Sequence, residues 1–227
     1  MTGGVLRPDE QYEGERFADV VFDEVAVGNC LFLDCSFINV SFGDCALRRC
    51  RFTDVTMREV RLVGTDLAET GWQDVTLTGC ALAGLQAFSG AWRRVVFRES
   101  KLDSVNFRDG VLTDVTFENC LLRDPDFGSA KLTRVSFPGS TLTGADFTKA
   151  TCTDVDLRGA SLGITGDLGS LGGTTIDSVQ LVALAPQLAH HLGSPDRNYL
   201  NTLNLLIGRR TSADFCLRQF CLRQDAA

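Results

Sequence analysis

Asp34, Asp54, Asp74, Asp114 and Asp154 fall in one column at multiples of twenty residues, with Arg94 and Arg134 at the intervening places. Carboxylates repeated along one edge can present negative charge to a cationic groove, as the phosphates of a duplex would. Asp is also a favoured turn residue, so the same column suits the corners of any soluble repeat. These five are the candidate partner-binding acidic ladder. The other reactive groups offer less. His190 and His191 are the only histidines and read as exposed or packing residues of a short helix. There is no glycine-rich phosphate loop, serine nucleophile elbow or HExxH motif. No catalytic residue, cofactor site or metal site is assigned, and the expectation is a protein that is not an enzyme. Nine cysteines are an odd number and none forms a CxxC pair. Cys30, Cys35, Cys45 and Cys50 match no common zinc spacing and read as small buried side chains.

The totals frame these residues. The chain has 227 residues, 44% of them hydrophobic, enough for a core. No apolar run approaches 18 residues, and no charged n-region precedes an apolar h-region, so a cytoplasmic protein without membrane contact is expected. A net charge of −7 disfavours direct binding to nucleic acid through a basic face. Fifteen Phe against two Tyr, and 22 Gly against five Pro, suggest a patterned fold.

The pattern has a period of five. From Phe17, every fifth residue through Leu162 forms 30 pentapeptides in one register, and only Val27, Ala87 and Cys152 are not Leu, Met, Phe or Trp. A second column two residues earlier holds small or branched residues: Val20, Val25, Cys30, Cys35, Val40, Cys45. An amphipathic helix repeats at 3.6 and one long strand at two, so neither fits. Two apolar positions two residues apart share one face of a short extended segment, but the next pair begins three residues on. The chain must therefore turn a corner in each pentapeptide.

Like residues recur at twenty. Val55, Val75, Val95, Val115, Val135 and Val155 do so, as do Leu62 to Leu162, Phe107, Phe127 and Phe147, and Trp72 and Trp92. Like stacks on like in a solenoid, so twenty residues make one coil of four sides. An all-β quadrilateral β-helix of about 7.5 coils is expected, roughly 36 Å long at ~4.8 Å per coil. Two places look irregular. Ala83–Ala91 puts Ala87 at a large position, Gly90 at a small one and Phe88 out of register: either a bulge or distorted corner forms there, or Phe88 simply covers a cavity beside Ala87. Pro125 lacks an N–H, which predicts a local defect.

Beyond Leu162, Gly163–Gly173 reads as a loop and Ile176–Leu192 as a helix. Asp177 and Gln180 form a capping box, and Gly193 supplies the stop. Pro186 should kink or divide that helix. Val179, Leu181, Leu184, Leu188 and Leu192 supply its apolar contacts, either capping the open coil end or joining two copies there. The expected division is a lead-in at 1–14, coils at 15–163, loop and capping helix at 164–193, and a tail at 194–227. Asn198–Ile207 could form another short helix, and Cys216 and Cys221 have no assignable chemistry.

Repeats such as CSFIN, VNFRD, ADFTK, VDLRG and ASLGI resemble the pentapeptide-repeat family over Glu15–Gly163. Leu171–Gly193 is similar to the capping tails of bacterial members. The resemblance implies a right-handed quadrilateral β-helix with a short C-terminal α-helical cap. It also implies a binding role through the surface. Members of the Qnr and MfpA type mimic DNA, bind DNA gyrase or topoisomerase IV, protect it from inhibitors, and dimerise through their C-terminal ends. For such a mimic the charge placement is mixed. Glu15–Leu162 holds 21 acidic and 16 basic residues, whereas a duplex of that length carries roughly 21 negative charges. The first 47 residues, with nine acids and two arginines, are clearly negative. Arg48, Arg49, Arg51, Arg58 and Arg61 form a basic band, as do Arg93, Arg94, Arg98 and Lys101. A scaffold that reads some other protein through the same faces is the alternative.

Overall fold

The computed structural model describes residues 5–166, 168–191 and 214–216. Its backbone follows from where each fifth residue must go. Phe17, Phe22, Phe32, Phe37 and their successors through Leu157 are buried, as are the residues two places earlier from Cys30 onward. To bring the next pair inside, the chain turns at the residue two places after each large one. Among the described residues, all 24 non-glycine residues with positive φ stand at numbers ending in 4 or 9, Asp34 at 52° and Asp54 at 54° among them. That left-handed conformation is best tolerated by Gly, Asn and Asp, which accounts for the corner composition.

Successive coils pair in parallel at a spacing of twenty, as in Trp72↔Trp92 and Leu82↔Leu102. Eight rungs stack on the first face, from Gln11–Glu13 to Thr151–Thr153. Stacking in register places aromatic rings over one another. Tyr12, Phe32, Phe52, Trp72 and Trp92 form one column with centroids 5.1, 4.9, 4.2 and 4.7 Å apart. Phe107, Phe127 and Phe147 form another. Each such side chain contributes on the order of 1.5–3 kcal/mol through burial.

One corner is flatter than expected. Between the first two faces, Gly71–Thr78, Ala91–Arg98 and Val111–Glu118 run as eight-residue strands through Asp74, Arg94 and Asp114. The two suspected irregularities do not occur. Across Ala83–Ala91 the register holds, with Gln86 bridging both Asp66 and Asn106. Leu85 and Ala87 are both buried: the large side chain has moved to the neighbouring inward place, so volume is kept without a bulge. Phe88 lies half-buried outside. At Pro125 the ladder also continues, because the chain uses that residue's carbonyl, which accepts from Asp146 N–H at 3.0 Å.

The register slips at the last coil, where Ala145 faces Ile164 rather than Thr165. The glycine-rich stretch is more structured than a loop. It holds the end of strand Ser161–Thr165, a 3-10 turn at Leu168–Leu171, and strand Thr174–Asp177, which lies parallel on Val155–Asp156. The helix α1 spans Ser178–His191, starting two residues later than expected because Ile176 belongs to that strand. Its capping box forms reciprocally: Asp177 N–H donates to Gln180 Oε1 and Gln180 N–H to Asp177 Oδ1, both at 2.9 Å. Pro186 does not divide α1. Both Pro186 and Val182, four residues before it, are exposed, so the carbonyl that loses its helical donor there can be hydrated. Asp214–Cys216 pairs antiparallel with Thr174–Asp177. Leu192, Asn198–Ile207 and Cys221 lie outside the described residues.

Candidate interaction surface

The corner between the first two faces carries the sequence-predicted ladder: Asp34, Asp54, Asp74, Arg94, Asp114, Arg134 and Asp154, one per coil. The two arginines do more than interrupt it. Arg94 Nε donates to Asp74 Oδ1 at 2.5 Å, and Arg134 Nε to Asp114 Oδ1 at 2.5 Å, each with a second bond from Nη2. These guanidinium bonds hold both carboxyl groups below the ordinary aspartate range. Asp154 adds to the field that favours the charged Arg134. Among the described residues, Asp34 and Asp54 have no ion-pair partner. The ladder is thus divided into an unneutralised end and a paired middle.

The same pairing across one coil recurs elsewhere, with Arg98 to Glu118 at 2.9 Å and Arg123 to Asp103 at 3.1 Å. Around the first coils it does not. Asp19, Asp23, Glu24 and Asp44 have no ion pair among the described residues, and Asp19 accepts only a neutral Asn39 Nδ2 bond. A search confined to one column misses these acids. The signal that finds Asp19, Glu24 and Asp44 is that residues ending in 4 and 9 are all corners; Asp23 ends the strand before one of them.

The thiols are structural. Cys45 Sγ donates to Phe22 and Gly43 carbonyls at 3.4 and 3.3 Å, the geometry Thr65 repeats one coil on with its hydroxyl. Burial pushes Cys80 and Cys120 up to about 11 and Cys50 and Cys152 up to about 12, so these are neutral thiols near pH 7. A cavity of about 390 Å³ at the last coil is lined by Ala150–Thr153 and Gly169–Gly173 segments, which offer hydroxyls and backbone but no acid or base apart from the Cys152 thiol. His190 and His191 end α1. No group of three His, Cys, Asp or Glu among the described residues could hold a metal ion. No helix there is long and apolar enough to cross a membrane.

Over the last coil, Leu181, Leu184 and Leu188 of α1 are buried. Gln180 Nε2 donates to the carbonyls of Leu157 and Ala160, at 2.5 and 2.7 Å, tying the helix to the last coil. Val179 does not join them. It is 76% exposed, on the outer side with Val182 at 63%, because the three buried leucines define the opposite stripe.

A quadrilateral parallel solenoid that turns at every fifth residue is the architecture of a pentapeptide-repeat protein. The pentapeptide repeat region profile matches residues 28–107, and that of pentapeptide repeats (8 copies) matches 100–137 and 126–163. The chain belongs to the pentapeptide-repeat family. Among solved structures it is similar to QnrB1, a plasmid-mediated fluoroquinolone resistance protein, at 15% identity and TM-score 0.36, over 78% of this chain and 99% of that one. It is also similar to HetL, involved in heterocyst differentiation regulation in the cyanobacterium Nostoc sp. strain PCC 7120, at 16% identity and TM-score 0.29, over 72% and 86%. A third is a pentapeptide repeat protein of the Arabidopsis thaliana thylakoid lumen, at 22% identity and TM-score 0.21, over 40% and 71%. No curated protein matches.

Proposed function

We propose that this protein is a non-catalytic binding rod that docks its acidic corners into a cationic groove of a protein partner. We further propose that the partner is DNA gyrase or topoisomerase IV in the cytoplasm, which the rod protects from inhibitors by standing in for DNA, in resistance or self-immunity. One observation carries this reading: Asp34 and Asp54, one coil apart on the ladder corner, have no ion-pair partner among the described residues, and neither do Asp19, Glu24 and Asp44 on the other corners of the first coils. Exposed Val179 and Val182 on the outer side of α1 support a homodimer through that end.

The test is gyrase supercoiling and inhibitor-induced cleavage with purified protein. Wild type is expected to change both, and D34N/D54N to require at least tenfold more protein. Asn tolerates the left-handed corner as Asp does, so the variant keeps its fold. No effect of wild type on either assay ends the topoisomerase reading.

A scaffold for an unrelated protein is the second reading. The Arg94–Asp74 and Arg134–Asp114 pairs favour it, because they cancel the middle of the ladder where a DNA mimic needs its charge. A scaffold leaves supercoiling and cleavage unchanged.

A further inference from the structure

The four faces do not carry the same charge. On the strands of the first face, the outward side chains from Arg51 to Thr153 include three cations, Arg51, Arg93 and Lys131, and no acid. The others are Thr, Gln, Ala, Val and Gly. Over the same coils the remaining faces mix both signs, with Arg98 and Glu118 on the second, Arg123 and Asp103 on the third, and Arg108 and Asp126 on the fourth. These rungs are each paired on both sides by described strands. The surface is therefore lateral and owes nothing to either end of the rod.

The three cations are available. Arg93 and Lys131 are exposed and have no ion pair among the described residues. Arg51 Nη1 donates to the Glu69 carbonyl, a neutral acceptor, at 3.1 Å. It lies across Gly71, where a Cβ would stand 2.7 Å from Arg51 Cδ, so the glycine keeps this guanidinium against the face. Between the cations is an apolar patch. Ala91 is exposed, Val111 stacked on it is 46% exposed, and Phe88 lies half-buried round the Ser89 corner. On the ladder edge, Asp74 and Asp114 are already bonded to Arg94 and Arg134, so negative charge remains only toward Asp54 and Asp154. The centre of the face, at Arg93, is positive.

Arg51 to Lys131 spans four coils, about 19 Å, the reach of roughly six residues of extended chain. A short acidic segment with one apolar residue fits: its carboxylates meet the cations and its apolar side chain covers Ala91 and Val111. A nucleic acid fits less well, because the face has no aromatic side chain for bases to stack on and the net charge of −7 repels a long polyanion. The clearly negative first coils of a second copy reach only about half of that span. Neither terminus supplies the acids: residues 192–227 hold five arginines and three aspartates, and 1–4 no charged side chain.

We propose that the first face between Arg51 and Lys131 is a docking surface for an acidic extended segment of a partner protein, held through Arg51, Arg93 and Lys131 around an apolar contact at Ala91 and Val111. It is distinct from the acidic corners and does not depend on the partner being a topoisomerase.

The probe is a fluorescent nonapeptide of Glu with Leu at its centre, followed by anisotropy against the full-length protein. Binding should weaken at least tenfold between 50 and 300 mM salt. R93Q/K131Q should weaken it at least tenfold at unchanged circular dichroism, whereas Arg58→Gln, on the second face, should change it less than twofold. A peptide with Gln in place of Glu should bind at least tenfold more weakly. D34N/D54N should bind the Glu peptide at least as tightly as wild type, which separates this face from the acidic corners. Lysine acetylation needs no variant: peptide should protect Lys131 and leave Lys101, on the third face, reactive. Equal protection of both lysines, or equal binding of the Gln peptide, overturns the proposal. So does stronger binding of an oligothymidine of the same length, which would make the face a nucleic-acid surface. Sedimentation showing dimers that R93Q/K131Q dissolves also overturns it, by making a second copy the occupant.

Discussion

Thr70 and Gly90 occupy the same inward column one coil apart, and the tryptophans beside them show what one hydroxyl does. Trp72 Nε1 donates to Thr70 Oγ1 at 2.9 Å. Trp92 Nε1 is buried without a partner. A Cβ on Gly90 would lie 2.8 Å from that nitrogen, so the glycine is what admits the second indole into the stack. The structure tolerates one orphaned N–H here. Thr70→Val should create another directly beneath it and cost about 1–3 kcal/mol, read from urea unfolding. A loss below a few tenths would mean that the indole finds another acceptor. Corner residues follow similar local rules. Gly64 has φ 61°, and a Cβ there would also collide with Asp44 Oδ1 of the coil below, so this glycine is needed for conformation and for space.

At the scale of elements, the coils were readable because their determinant is strictly periodic. Inward Phe17 to Leu162, the twenty-residue columns and the corner at every fifth residue all follow from parity and stacking. Exceptions are harder to read where two local departures compensate each other. Ala87 alone suggests a cavity, but Leu85 supplies the missing volume from the adjacent inward place. Pro125 alone suggests a lost bond, but its carbonyl keeps the ladder going. Beyond Leu162 periodicity ends, and only the capping box gave a fixed point. Gln180 was legible as the partner of Asp177; its bonds to Leu157 and Ala160 join parts of the chain that share no pattern. The acidic column was legible as spacing, whereas its neutralisation by Arg94 and Arg134 depends on rotamers that spacing does not encode. Because Gln180 is buried and its side chain makes three of these bonds, Gln180→Ala should loosen the cap. Amide exchange of α1 and of Leu157–Ala160 is expected to rise at least tenfold, with the middle coils unchanged. A uniform rise along the rod would instead mean that cap and coils unfold as one unit.

For the whole molecule, charge and thiols set the pH range of stability. Asp74, Asp114 and Asp156 have carboxyl groups held below the ordinary range by arginine bonds. Their contribution is present above the unfolded value near ~3.9 and is lost as pH falls further. Buried thiols act at the other limit. Cys80 and Cys120 at about 11, and Cys50 and Cys152 at about 12, keep their protons when the unfolded chain releases them near 9. Stability from these groups is complete below about pH 9 and declines as pH rises toward 11–12. Melting temperature should therefore be flat from about pH 5 to 8 and fall on both sides. At pH 8, peptides containing Cys50, Cys80, Cys120 and Cys152 should resist iodoacetamide in the native state and react fully in urea. Labelling of these four in native protein would show that the columns open far more often than their packing implies.

The twenty-residue register also makes the length of this molecule modular. Excising residues 91–110 would bring Gly71–Thr78 directly under Val111–Glu118, with every face still in its own column and one storey fewer. Removing only five would rotate everything downstream by a quarter turn, carrying Asp114 and Asp154 onto a different edge. Growth and shrinkage by whole storeys preserve which side of the rod a partner meets, and partial ones do not.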